Sequence, residues 1–268
     1  MPHVRVATGV DVTYEIAGEG PRALFIGGTG GDLRVRPGVL DGPLPRACEV
    51  LAYDQRGLGR SSSPPGDWTM ADYADDADAL LDALGWDRAH VVGVSFGGMV
   101  AQELALRHPN RIDRLVLCCT SAGGAGGASY PLHELAALDP DVRFERQLEL
   151  SDVRRDAAWR AAHPEVLAQL RAQAEAAAAV GAEEPGRADG ARRQLEARRH
   201  HDTWDRLAGI ATTTLVAAGR FDGIAPLANA EALAARLPDA RLEVFDGGHL
   251  FLVQDRAAWP AIVAFLTS

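Results

Sequence analysis

Three short stretches carry side chains suited to acyl transfer. Residues 92–102 read VGVSFGGMVAQ and contain Gly93-x-Ser95-x-Gly97. A serine set this way ends an apolar strand and opens an amphipathic helix. That strand–turn–helix corner presents the serine oxygen at the sheet edge. Serine also caps helices through its hydroxyl, so the motif alone leaves both roles open. A nucleophilic serine needs a base within hydrogen-bond reach and an acid to orient that base. The run TTTLVAAG is followed by Asp222 in RFDG, and the run RLEVF by His249 in DGGH. Asp-Gly is by itself a turn signal, and a loop histidine can serve a local bond. The order Ser95, Asp222, His249, each just after a strand, is what a Ser-His-Asp triad on such a corner requires.

Those strands need a sheet to hold them. Apolar and β-branched runs predict strands over 4–6, 12–16, 23–26, 49–53, 90–94, 114–119, 213–218 and 241–245. Helical spacing of Met70, Tyr73, Ala77, Leu80, Leu81 and Leu84 predicts a helix capped by Thr69 and ended by Gly85. Further helices are expected over 96–108, 227–237 and 256–266. The alternation implies an α/β fold, a mostly parallel sheet covered on both faces. Between about 131 and 207 the β-branched runs stop and the pattern is helical. The division expected is therefore a core of residues 1–123 and 207–268 with a helical cap, 124–206, inserted in it. The segment SAGGAGGAS at 121–129 reads as a hinge into that cap.

Composition excludes several chemistries. The 268 residues contain no lysine, so the basic residues are all arginine. Schiff-base chemistry and a Walker A phosphate loop both need lysine. A net charge of −10 argues against nucleic acid or an anionic membrane as partner. No apolar run approaches the roughly 20 residues that span a bilayer. The N-terminal stretch lacks a signal-peptide pattern. Cys48, Cys118 and Cys119 show no CxxC spacing. Adjacent His200 and His201 point about 100° apart on a helix, which disfavours a metal pair. A cytoplasmic enzyme without metal or cofactor is the expectation; oligomeric state is not encoded in any of these features.

VVGVSFGGMVAQELALRHPNRIDRLVL, AYDQRGLGRSSSP, AGRFDGIAP and FDGGHLFLVQD together resemble the α/β-hydrolase superfamily. The resemblance covers the core and treats the insertion only as a helical cap. It implies Ser95 as nucleophile, His249 as general base and Asp222 as the orienting acid. It also implies that Arg56, Gly57 and Gly59 build a structural turn. Ser95 argues against the aspartate-nucleophile branches, and Phe96 with GGTGG against proline iminopeptidases.

The oxyanion of an acyl-transfer intermediate needs two backbone donors. One is expected from the N–H of Phe96, the other from the loop after the third strand. That loop is GGTGGDLR, residues 27–34. It fits no Gly-x-Gly-x-x-Gly frame. Many relatives carry His-Gly before the donor; here the pair is Gly27-Gly28, which makes Thr29 N–H the expected donor. Gly31-Asp32-Leu33 is similar to the corresponding loop of 3-oxoadipate enol-lactonases. Arg34 is a candidate to read a substrate carboxylate, or a surface arginine. His201 and Trp204, where the insertion returns to the core, are candidates to face the pocket, or a solvated histidine and a packed tryptophan. The expectation is a serine hydrolase acting on a small ester or lactone. A carbon–carbon bond hydrolase with the same triad and a non-catalytic small-molecule binder stay open.

Overall fold

The computed structural model describes residues 1–268, the side chain of Ala136 excepted. Eight strands form one sheet: β1 (His3–Arg5), β2 (Asp11–Ala17), β3 (Arg22–Ile26), β4 (Glu49–Tyr53), β5 (Ala89–Val94), β6 (Ile112–Cys118), β7 (Thr214–Gly219) and β8 (Ala240–Phe245). Their order is β1-β2-β4-β3-β5-β6-β7-β8. β2 runs antiparallel to β1 and β4, and the rest pair in parallel. Parallel pairing needs crossovers, and helices supply them. α1 (Met70–Ala83), α2 (Phe96–Arg107) and α7 (Leu227–Arg236) cover one face, where Tyr73, Leu80, Leu104 and Leu233 join the larger core cluster. α8 (Phe251–Gln254) and α9 (Ala258–Thr267) cover the other face with Phe251, Ile262 and Phe265. Each such side chain contributes about 1.5–3 kcal/mol on burial, so the sheet is clamped from both sides. The helix expected over 256–266 is α9, and the short α8 before it is additional.

α1 starts where its chemistry predicts. Thr69 accepts from the Asp72 N–H, and the Asp72 carboxylate accepts from Thr69 N, a reciprocal cap. Arg56, buried beneath this helix, donates from Nε and Nη2 to Asp76 at 2.6 and 2.7 Å. The turn read as structural thus carries a buried bidentate ion pair.

Between β6 and β7 the chain forms α3 (Pro140–Ser151), α4 (Ala157–Ala162), α5 (Pro164–Ala179) and α6 (Arg187–Arg199) with short 3-10 turns. α5 buries no side chain fully. α6 packs inward through Gly190, Gln194, Ala197 and Arg198. The glycine segment at 121–129 is not a free hinge. Ser121 and Ser129 hydroxyls bond at 2.7 Å, and a Cβ on Gly123 or Gly126 would meet His201 O or the Trp204 ring at 2.1–2.2 Å. The glycines here permit close packing. Among the described residues no helix is long and apolar enough to cross a membrane.

Candidate active site

Ser95, His249 and Asp222 meet at the carboxyl ends of the parallel strands, where open α/β sheets hold ligands. β5 ends at Val94, and Ser95 takes φ 55° and ψ −114° before α2 begins. That strained corner survives only because its surroundings fix it. Ser95 N donates to Cys118 O at 2.8 Å, and Ser95 O accepts from Thr120 Oγ1 at 2.8 Å. A Cβ on Gly97 would lie 2.0 Å from Ile26 O, and one on Gly93 2.4 Å from Gly97 O. Only glycine at both positions lets the corner close against β3.

His249 follows β8, and its Nε2 lies 3.0 Å from Ser95 Oγ. Its Nδ1 lies 2.7 Å from Asp222 Oδ2, in the loop after β7. The Asp222 side chain is fully buried. Its other oxygen, Oδ1, accepts from Ile224 N at 2.7 Å and Ala225 N at 2.8 Å. Two amides and one imidazole therefore satisfy the carboxylate and fix its plane. Nδ1 must carry a proton to face that carboxylate, which leaves Nε2 as an acceptor toward the serine hydroxyl.

The 27–34 loop passes beside this corner: a Cβ on Gly28 would sit 3.6 Å from Ser95 Cβ. Among the described residues, neither Thr29 N nor Phe96 N has a backbone acceptor. At the start of this loop, Gln55 Nε2 donates to Gly27 O at 2.9 Å. A cavity of about 200 Å³ opens beside Gly27, Gly28 and Gln55. Leu33 N donates to Asp54 Oδ1 at 2.8 Å. Burial pushes the Asp54 carboxyl up to about 6, against the amides of Arg60 and Leu33.

The insertion is bonded to three loops of the site, those that carry Gly30, Asp222 and His249. Gln194 Oε1 on α6 accepts from Gly30 N at 2.8 Å. Gly223 N donates to Leu150 O at 2.9 Å and His249 N to Ser151 O at 2.6 Å. Arg34 corrects one expectation. Four of its five N–H groups donate to the chain's own carboxylates, Asp32 at 2.8 Å and Glu184 at 2.5 Å, so two edges of the guanidinium are already taken by bidentate pairs. Burial pushes the Asp32 carboxyl up, but hydrogen bonds from Arg34 and the charge of Arg187 outweigh this and hold it below the usual range. Trp204 takes the packed alternative: it lies against Gly126, with the Arg236 guanidinium 5.5 Å from its ring centre, on the side of α7. His201 does turn inward, with Nε2 3.1 Å from Ser121 O, and lines a cavity of about 390 Å³. Burial pushes its pKa down to about 4, so the ring is neutral. His200 is exposed and pairs with Glu196.

Sequence reasoning passed over Gln194 and Arg198. Both lie on the buried face of α6, one turn apart. Four arginines stand within eight positions there, and nothing in residue type separates Arg198 from its solvated neighbours.

Comparison with known proteins identifies the fold. The sequence profile of the family described as alpha/beta hydrolase fold matches residues 23–255. A protein of Caulobacter sp. (strain K31) bearing the carbamate hydrolase name RutD is 35% identical over 224 residues, 80% of this chain and 78% of its own. A poly(3-hydroxyalkanoate) depolymerase of Ectopseudomonas oleovorans is 30% identical over 238 residues, 81% of this chain and 75% of its own. The crystal structure of an enol-lactonase from Burkholderia xenovorans LB400 aligns with a TM-score of 0.79 at 27% identity, both chains covered in full.

Proposed function

The chain belongs to the α/β-hydrolase fold family, and we propose that this hydrolase cleaves a small carboxylic ester or lactone through an acyl-enzyme on Ser95. The observation that supports this reading most is the continuous chain Ser95 Oγ, His249, Asp222, with bonds of 3.0 and 2.7 Å. In this mechanism His249 Nε2 takes the hydroxyl proton as Ser95 Oγ attacks the carbonyl carbon. Asp222 keeps the proton on Nδ1 and stabilises the imidazolium. The N–H groups of Thr29 and Phe96 receive the oxyanion. The imidazolium then protonates the leaving oxygen, and an acyl-Ser95 ester remains. Water, deprotonated by the same nitrogen, releases the acid and restores the serine. No step calls for a cofactor. The division into core (1–123 and 207–268) and cap (124–206) belongs to this proposal: the core would supply the reaction, the cap the fit.

A carbamate is a second candidate substrate, favoured by the name of the 35% identical relative. It offers the same carbonyl to the same nucleophile. A panel of p-nitrophenyl esters, lactones, carbamates and aryl ketones separates the readings, the ketones reporting carbon–carbon cleavage. A fluorophosphonate probe should label Ser95 in the parent, and Ser95→Ala should keep the fold and lose turnover. An unlabelled Ser95 in folded protein, or full activity in the alanine variant, removes the serine mechanism.

A further inference from the structure

The helical insertion holds a positive charge with no negative partner. Arg198 on α6 is 6% exposed. Its Nη1 donates to Tyr130 O at 2.8 Å, which fixes the guanidinium plane. Its Nε and Nη2 are buried and have no acceptor among the described residues. Burial alone pushes its pKa down, to about 10, and no acidic group offsets it. The group is still charged at neutral pH. An unpaired charge in such a place is costly, and proteins keep one where something else supplies the counter-ion.

The surroundings suit a ligand. Arg198 lines the 390 Å³ cavity together with Met99, Ser121, Ser129 and His201. Met99 N bonds to Ser95 O, so this lining residue of the cavity lies one turn, roughly 6 Å, along α2 from Ser95. Glu134 lines the same cavity but is exposed and forms no ion pair with Arg198 among the described residues. One turn before Arg198, Gln194 Nε2 is also buried without an acceptor. The face of α6 therefore holds three buried donors that the chain leaves unused. The Nε–Nη2 edge of a guanidinium is the one that takes a carboxylate side-on, through two parallel hydrogen bonds.

We propose that Arg198 anchors a free carboxylate on the substrate, so that this enzyme selects esters or lactones bearing a second, ionised acid group a few carbons from the scissile carbonyl. The proposal rests on the serine-hydrolase reading above. Arg198 sets specificity and takes no part in bond breaking.

The test compares the mono-p-nitrophenyl ester of pimelic acid with p-nitrophenyl heptanoate. The two share their chain length and differ in the terminal carboxylate. The parent should favour the acid by about tenfold or more in kcat/KM, with the difference carried by KM. Arg198→Met should bring that ratio close to one, and Arg198→Lys should restore part of it. Arg198→Met should also raise Tm, because it removes an unpaired buried charge. A purely structural Arg198 predicts the opposite pair of results, a lower Tm with the ratio unchanged, and would overturn the proposal. Should the methionine variant fail to fold, pimelate binding to Ser95→Ala decides by calorimetry: binding at a Kd below a millimolar supports the anchor, and none refutes it. If the parent is labelled at Ser95 yet treats both esters alike, the anchor is wrong and the hydrolase reading stands. If the parent cleaves neither ester and Ser95 stays unlabelled, the hydrolase reading itself fails.

Discussion

Replacing Asp222 by asparagine tests the proton relay at its most specific point. The side chains have nearly the same shape, so packing is preserved. The structure dictates how the new amide must turn. Asp222 Oδ1 accepts two backbone N–H groups, from Ile224 and Ala225. An asparagine keeps those bonds only by putting its carbonyl oxygen there. Its NH2 then faces His249 Nδ1, where Oδ2 had accepted at 2.7 Å. Nδ1 must become an acceptor, and the ring proton moves to Nε2. That nitrogen then donates to Ser95 Oγ and has no lone pair to take the hydroxyl proton. The productive orientation requires the NH2 to face both amides, leaving two donors unmet at about 1–3 kcal/mol each. A penalty of about 2–6 kcal/mol corresponds to a loss of roughly 1.5 to 4 decades, and the Ser-His-Asp template itself loses about 10⁴ in kcat on this swap. The assay is p-nitrophenyl ester hydrolysis with the fluorophosphonate labelling rate, and nitrogen NMR of His249 to read the tautomer. Activity within tenfold of the parent, or a ring still protonated on Nδ1, would refute the reasoning.

Two further predictions concern the frame around the site. Asp76→Ala leaves Arg56, which is 5% exposed, with only the longer 3.6 Å pairing to Asp72, and should cost about 3–5 kcal/mol in urea unfolding, whereas joint replacement of Asp76 and Arg56 by apolar residues should cost less than the single change. His201 is buried and neutral, with its pKa pushed down to about 4 from 6.5. Between those values the unfolded chain binds more protons, so this group's contribution, roughly 3 kcal/mol, is present above about pH 6.5 and is lost as pH falls toward 4. Asp54, with its pKa raised to about 6, acts in the opposite sense over about pH 4 to 6. The readout is therefore a comparison: His201→Phe should flatten the rise in unfolding free energy between pH 4.5 and 7 relative to the parent.

The legible parts of the sequence were those whose structure is local. Ser95, Asp222 and His249 each follow a strand by a few residues, and strand ends are set by short apolar runs. The capping pair Thr69 and Asp72 is likewise contained within one turn. The insertion was opaque because its buried stripe is not apolar. Gly190, Gln194, Ala197, Arg198 and His201 recur at helical spacing and are all buried, but three of them are polar. Their burial comes from contacts with residues far along the chain, such as Gly30 with Gln194. The role of Arg34 is hidden for the same reason: its partner Glu184 lies on the loop before α6, and sequence distance conceals the pair. The glycine run at 121–129 signals either slack or close approach, and only the packing of Trp204 and His201 decides between them.

The bonds from Leu150 O and Ser151 O to the loops bearing Asp222 and His249 bear on how this enzyme can be re-engineered. Insertions of this kind invite exchange as modules, one lid traded for another to change substrate range. Here residues 150–152, the last of which accepts from Gln254 Nε2 on α8 at 3.0 Å, belong to the scaffold by contact, though they lie between β6 and β7 by position. A chimera that swaps the whole insertion would release the loops of Asp222 and His249 from one of their shared supports. A transplant that retains 150–152 and replaces only the stretch from α4 to α6 would leave that support in place while renewing the helix that carries Gln194 and Arg198.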